Sequence, residues 1–331
     1  MTLKASTKST TSKSTAKRST AKKASEGRGL TVHRFAGIAL GGGKTDRTAV
    51  AVIEYYPESR RVFLRAIRDK VRGQDGDSGD QALIDLLTIE EPGLEAIAFD
   101  APLQLPKCVR CELQCPGFES CRLPEMRWLW SEHEARAASK RPNKVFTPYT
   151  ERCAEVYIAN HLSRSLEEAF HPPHALGANA APLAARAHYL ARRLTGLKKV
   201  DVPSMNSTKR SAGSRAGGRS VPRLIEVFPK LSLWQIGRDL KVPKSYLRFH
   251  RHAVDSDEAR HYVIKTLMEK EIAFVYQQDL KTLIESPQAF DAFISAITAY
   301  LEHRGQTVAR PQGFPSEEIW ITFPKNDIQW T

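Results

Sequence analysis

The sequence has no apolar run near the roughly 18–20 residues that a membrane span requires, and its first residues lack the short apolar core of a secretory signal. Both absences argue for a cytoplasmic protein with no membrane partner. Cysteine is scarce, with five residues in 331. Without an export signal these are expected to be reduced thiols or metal ligands rather than disulfides. Acid is almost missing from residues 1–28, where Glu26 alone stands against eight Lys and Arg. This opening is rich in Ser, Thr and Lys, as transit peptides are, but it lacks their amphipathic Arg/Leu pattern. No internal repeat is found.

Basic charge, by contrast, is abundant. The net charge is +13, and residues 1–28 contribute +7 of it. A segment with so little to bury is expected to form a disordered basic tail over residues 1–31. Such a tail either attracts polyanions by counterion release or only solubilises the chain. With 41% hydrophobic residues overall, the remaining chain can build a real core. Residues 34–40, 48–54 and 61–67 read as three strands joined by short loops, followed by a helix over 80–88 and a short strand at 96–99 that ends on Asp100.

The order β-β-β-α-β is how a ribonuclease H-like sheet begins. The expected fold is therefore α/β: a ribonuclease H-like mixed sheet flanked by helices over residues 32–331, interrupted at about 103–220 by a large helical and cysteine-rich insertion. Helices are expected at about 151–169 and 181–194, and a flexible basic loop at 204–220. The core resumes with a strand at 223–228 bearing Glu226, a helical region at about 255–270, an amphipathic helix at about 288–303 and an edge strand at 318–323. In that last helix Phe290, Phe293, Ile294, Ile297 and Leu301 form one stripe, with Asp291 beside it.

Three constellations carry chemistry. Cys108, Cys111, Cys115 and Cys121 fall within fourteen residues, in the spacing C-x2-C-x3-C-x5-C. Four thiolates so close suit one tetrahedral ion, zinc by default or an iron–sulfur cluster, in a structural role because no coordination position stays open. Asp100, Glu226 and Asp291 sit at two strand ends and one helix start, places that converge in a ribonuclease H-like sheet. Converging carboxylates need a cation, and Mg²⁺ or Mn²⁺ would serve phosphodiester cleavage. Surface acids at element ends are the plain alternative. The run Gly41-Gly-Gly-Lys44-Thr45 lacks Walker spacing. It is similar to the first phosphate loop of actin-like sugar kinases, which leaves an actin-like phosphotransferase as an alternative and Lys44 as a candidate phosphate contact.

Several stretches taken together resemble a known family: GIALGGGKTDRTAVAV (37–52), AFDAPLQLPKCVRCELQCPG (98–117), TPYTER (147–152), ALGANAAPLAARA (175–187), IEVFPK (225–230), FDAFISAITAY (290–300) and QGFPSEEIW (312–320). The chain resembles domain-of-unknown-function family 429, predicted nucleases of ribonuclease H-like fold. The resemblance implies a metal-dependent nuclease acting on nucleic acid, with Asp100, Glu226 and Asp291 as its acidic site. Where the family has an acid on its first strand, this chain has Ala39; Asp46 is the candidate to replace it. Failing that, the protein is expected to be a nucleic-acid-binding module. Thr147, Arg152, Asn179, Arg186 and Lys230 lie in the resembling motifs as candidate substrate contacts, with helix capping and internal ion pairing as their alternative roles.

Overall fold

The computed structural model of the chain describes residues 31–42, 47–73, 76–138, 146–166, 168–196, 221–251 and 255–330. The expectations placed on residues 1–30, on Lys44 and Asp46 and on the loop 204–220 lie outside the described residues.

Runs of small and β-branched residues form the strands β1 (His33–Ala39), β2 (Ala49–Tyr56), β3 (Arg61–Arg68), β4 (Leu94–Phe99), β5 (Arg223–Val227), β6 (Ala273–Phe274) and β7 (Ile321–Thr322). Among the described residues these make one seven-stranded sheet in the order β6-β3-β2-β1-β4-β5-β7. β1, β2 and β3 are antiparallel, whereas β4 pairs in parallel with β1, β5 with β4, β7 with β5 and β6 with β3. Helix α1 (Gly79–Asp85) connects β3 to β4. Between β4 and β5 lie α2 (Lys107–Arg110), α3 (Pro124–Ala138), α4 (Cys153–Tyr157), α5 (Ser163–Ser165) and α6 (Ala181–Thr195). Beyond β5 come α7 (Pro229–Asp239), α8 (Lys244–Phe249), α9 (Ser256–Glu269), α10 (Gln277–Glu285) and α11 (Pro287–His303). The protein is thus α/β, with a mixed sheet flanked by helices.

Alternation along the central strands divides the core in two. Phe35, Ala39, Ala96, Ala98, Ile225 and Val227 face α11, while Ala36, Ile38, Ile97 and Phe99 face the side carrying α1 and α6. The stripe expected on α11 understates its burial: every residue from Ala289 to Leu301 is buried, because α7 and α10 cover the side turned away from the sheet. This burial carries Asp291 into the interior.

α11 crosses β1 at very short range, and Gly37 permits it. A Cβ at residue 37 would stand 2.0 Å from the carbonyl oxygen of Ala292 and 2.4 Å from the amide nitrogen of Ala296. Both are backbone atoms, so no rotamer change relieves the clash. Gly37→Ala is expected to destabilise the protein by about 3 kcal/mol or more, read as a lower midpoint in chemical denaturation. An unchanged midpoint would mean that the helix can ride outward without loss.

Candidate functional site

The C-terminal ends of β1 and β4, the first turns of α11 and the residues closing α8 enclose a cleft of about 660 Å³. Asp100 and Asp291 line it together with His171, His250 and four basic side chains, Arg47, Lys230, Arg248 and Arg251. Asp100 follows β4 in step with Ala96 and Ala98, and its backbone N–H bonds the Ile38 carbonyl. Its Oδ1 accepts from the Leu40 amide at 2.8 Å. Burial pushes the Asp100 carboxyl up to about 6, against the pull of that amide and of the Arg251 charge. Asp291 meets the guanidinium of Arg251 through Oδ2.

The remaining oxygen of Asp291 defines the chemistry. His250 is buried, and its Nδ1 lies 3.2 Å from the Leu247 carbonyl, which makes Nδ1 the donor and leaves a lone pair on Nε2. That Nε2 stands 3.5 Å from Asp291 Oδ1, and among the described residues neither atom has a hydrogen-bond partner. Burial pulls His250 down to about 4, and the charges of Arg251, Arg260 and Lys230 act in the same direction. The ring is therefore neutral at pH 7, and two acceptors face each other out of water. Such a pair calls for a cation between them. The pair offers one imidazole nitrogen and one carboxylate oxygen to a single divalent ion, and Asp100 lines the same cleft without its oxygens joining them within 4.8 Å. This arrangement does not fit the two-ion cluster that three converging acids would form.

Glu226 does not join Asp100 and Asp291. It pairs in register with Phe99 and so points to the opposite side of the sheet; β-strand alternation separates it from Asp100, one residue on. There it lies under Arg152, which reaches it through two nitrogens at 2.9 and 3.0 Å, while the Leu103 amide donates to it at 2.9 Å. Arg152 is fully buried and serves this internal pair, which corrects its candidacy as a substrate contact. It also stands 3.6 Å from Glu155 and 3.6 Å from Glu318, so one guanidinium answers three buried carboxylates.

This imbalance falls on Glu318. Burial pushes its carboxyl up to about 7; Arg152 and Arg110 pull it down, and Glu155 and Glu226 push it further up. The folded protein therefore keeps a proton on Glu318 where the unfolded chain, with an ordinary value of 4.5, has lost it. Stability from this group is present below about 4.5 and is lost as pH rises through about 7. Glu318→Gln removes the dependence. Its stability relative to the wild type is expected to improve by on the order of 3 kcal/mol between pH 4.5 and 8. Denaturation of both proteins across that range measures the difference; a flat one would mean that Glu318 is ionised throughout.

Of the other candidates, Lys230 lines the cleft, 3.2 Å from the Ala169 carbonyl and over the Phe170 ring. Arg186 lies beside the cleft, bonded to Asp80 at 2.7 Å, to the Gly41 carbonyl and to Thr48, so it ties Gly41 to the start of β2 and to α1. Thr147 accepts from Thr150 through its carbonyl and hydroxyl, shaping a turn and capping no helix. Asn179 is exposed in the turn before α6.

No disulfide joins the cysteines. Cys108 starts the knuckle in α2, and Cys121 ends it after a 3₁₀ turn over Phe118–Ser120. Burial raises the Cys108 thiol, and Cys121, Cys115 and Cys111 raise it further, so a thiolate at Cys108 is opposed by its neighbours. A bound cation would relieve that repulsion at Cys108, but no three of the four sulfurs lie within 4.8 Å of one another.

Sequence reasoning missed His250, Arg251, Arg248 and Arg47 in the cleft. The run Arg248-Phe-His-Arg251, basic and aromatic in alternation, was the available signal. It also missed Glu155 and Glu318 around Arg152. Among known families, the model described as "Protein of unknown function (DUF429)" matches residues 43–316, a span holding the cleft acids, His250, the knuckle and, of the Arg152 cluster, every member but Glu318. No curated protein and no solved structure matches the chain.

Proposed function

We propose, for a chain that belongs to this family of unknown function, that the cleft binds nucleic-acid phosphates and hydrolyses a phosphodiester with one divalent ion held between Asp291 and His250, with Asp100 on the same cleft lining. The observation that carries the reading is the facing pair of unpartnered acceptors, His250 Nε2 and Asp291 Oδ1, at the floor of a cleft lined by four basic side chains. Bound there, Mn²⁺ or Mg²⁺ would supply Lewis-acid activation of water and charge stabilisation; the imidazole favours Mn²⁺. The protein's own part is recognition. Arg47, Lys230 and Arg248 offer charge for phosphate oxygens, and Arg248 and Lys230 are held in place by Glu168, at 2.8 and 3.7 Å. The strand order β3-β2-β1-β4-β5, antiparallel and then parallel, supports the ribonuclease H-like reading of the sheet.

The test is cleavage and binding of DNA and RNA oligonucleotides, single- and double-stranded, with Mn²⁺ or Mg²⁺. Metal-dependent cleavage supports the proposal. Binding without cleavage would favour a nucleic-acid-binding module, a reading to which the Arg251–Asp291 pair already lends weight, since it neutralises the site with protein charge.

The thiol knuckle has a separate role in this proposal, as a closed zinc site that holds residues 107–121 together. Purified protein is expected to carry about one zinc per chain on it. Cys111→Ser should lower metal content and melting temperature while cleavage per folded molecule stays constant. Wild-type protein with freely titrating thiols and no metal would remove the knuckle from the account.

A further inference from the structure

At the other end of α11 a second cluster stands apart from everything used so far. His33 opens β1, Glu95 is the second residue of β4 and His303 is the last residue of α11. One ligand atom from each lies within 4.8 Å of the other two. Glu95 contacts His33 Nδ1 through Oε1 and stands 3.1 Å from His303 Nδ1 through Oε2, and the two imidazole rings are 4.6 Å apart. Since Asp291 and His303 are on one helix, twelve residues of helical rise put the cluster roughly 18 Å from the cleft.

The backbone is irregular at this cluster. β1 and β4 pair Arg34 with Leu94 but Phe35 with Ala96, so Glu95 is the extra residue of a β-bulge on β4. The bulge resets the alternation: Leu94 faces the α1 and α6 side, and Ala96 faces α11. Bulges are used to re-aim a side chain, and this one accompanies a carboxylate set between two imidazoles. The side chains are about a quarter to a third exposed, 24% for His33, 37% for Glu95 and 23% for His303, so solvent reaches the cluster.

We propose that His33, Glu95 and His303 form a second metal site, for Zn²⁺ or a similar borderline divalent ion, with an open coordination position. Two imidazoles and one carboxylate are a ligand set that zinc takes when it keeps a fourth position for water or an outside ligand. A tetrahedral ion with bonds of about 2.0–2.1 Å holds its ligand atoms roughly 3.3 Å apart, and the 3.1 Å between His303 and Glu95 is close to that spacing. Oxygen-seeking Mg²⁺ and Ca²⁺ are disfavoured by the two nitrogens. The site is independent of the cleft reading and of the thiol knuckle.

Cobalt distinguishes the three sites. Chelator-treated full-length protein is titrated with Co²⁺, which absorbs intensely through thiolates at the knuckle and only weakly at nitrogen and oxygen sites. The wild type is expected to bind an equivalent without thiolate absorption that persists in Asp100→Asn and is lost in His303→Gln and in Glu95→Gln, with the thiolate band unchanged. Melting in chelator checks that the variants fold, and His33→Gln replaces any that does not. An equivalent retained in the cluster variants would overturn the proposal. So would a wild type whose weakly absorbing cobalt disappears with Asp100→Asn alone, since Glu95 would then merely bridge two histidines by hydrogen bonds.

Discussion

Replacing Arg152 by methionine is expected to destabilise the folded protein by about 3–5 kcal/mol, the range for removing one partner of a buried charge pair. The guanidinium is fully buried and is the cation that Glu226, Glu155 and Glu318 share, at 2.9, 3.6 and 3.6 Å. Methionine fills much of the volume, so the loss is electrostatic rather than a cavity effect. Glu226 would be left with the Leu103 amide alone, at 2.9 Å. Pairing the change with Glu226→Gln should recover a good part of the loss, because the charge stranded by the first substitution is gone. Urea denaturation of the wild type, both single variants and the double variant gives the coupling. A single-variant loss below about 1 kcal/mol would mean that the glutamates are already protonated in the fold.

Asp100→Asn is expected to reduce phosphodiester cleavage on the order of a thousand-fold, about 4 kcal/mol of barrier, with nucleic-acid affinity nearly unchanged. The substitution removes a negative charge from the cleft lining and leaves its volume and the basic walls in place. Asparagine can still accept from the Leu40 amide through its carbonyl oxygen, so the end of β4 has no reason to move. The reverse experiment uses Ala39, which faces α11 as Phe35 does and lies on the strand next to Asp100. Ala39→Asp should strengthen Mn²⁺ binding if the chain tolerates the buried acid. Cleavage that persists in Asp100→Asn would dismiss the cleft as the catalytic site. Loss of oligonucleotide binding in that variant would show that the aspartate organises the walls rather than the reaction.

The sheet was legible where patterning was strong. Strands expected at 34–40, 48–54 and 61–67 lie at His33–Ala39, Ala49–Tyr56 and Arg61–Arg68, since β-branched alternation survives burial on both faces. The helix expected at 151–169 is divided into α4, a π-helical turn over Ile158–Leu162 and α5, an interruption that propensity does not encode. Helix α3 went unread because its tryptophans, leucine and charges alternate without a single apolar face. The strand expected at 318–323 shortens to Ile321–Thr322, because Glu318 is drawn into the Arg152 cluster and Ile319 bonds Gln104 instead of a strand neighbour. For the cleft, the endpoints of β4 and α11 identified Asp100 and Asp291. Which side of the sheet Glu226 takes depends on register with Phe99, and a single sequence does not carry strand register.

The Arg152 cluster also constrains how this chain can vary. Its members come from four stretches that are remote in sequence: the start of α4 with Arg152 and Glu155, β5 with Glu226, the turn before β7 with Glu318, and the segment after β4 that donates through Leu103. Arg152 cannot be exchanged without stranding the carboxylates it serves, so a one-step path that begins with the arginine passes through a poorly folded protein. Related chains are therefore expected either to keep the group entire or to have replaced it as a block, and the effects of its substitutions should be strongly epistatic even between residues more than 150 positions apart, as Arg152 and Glu318 are.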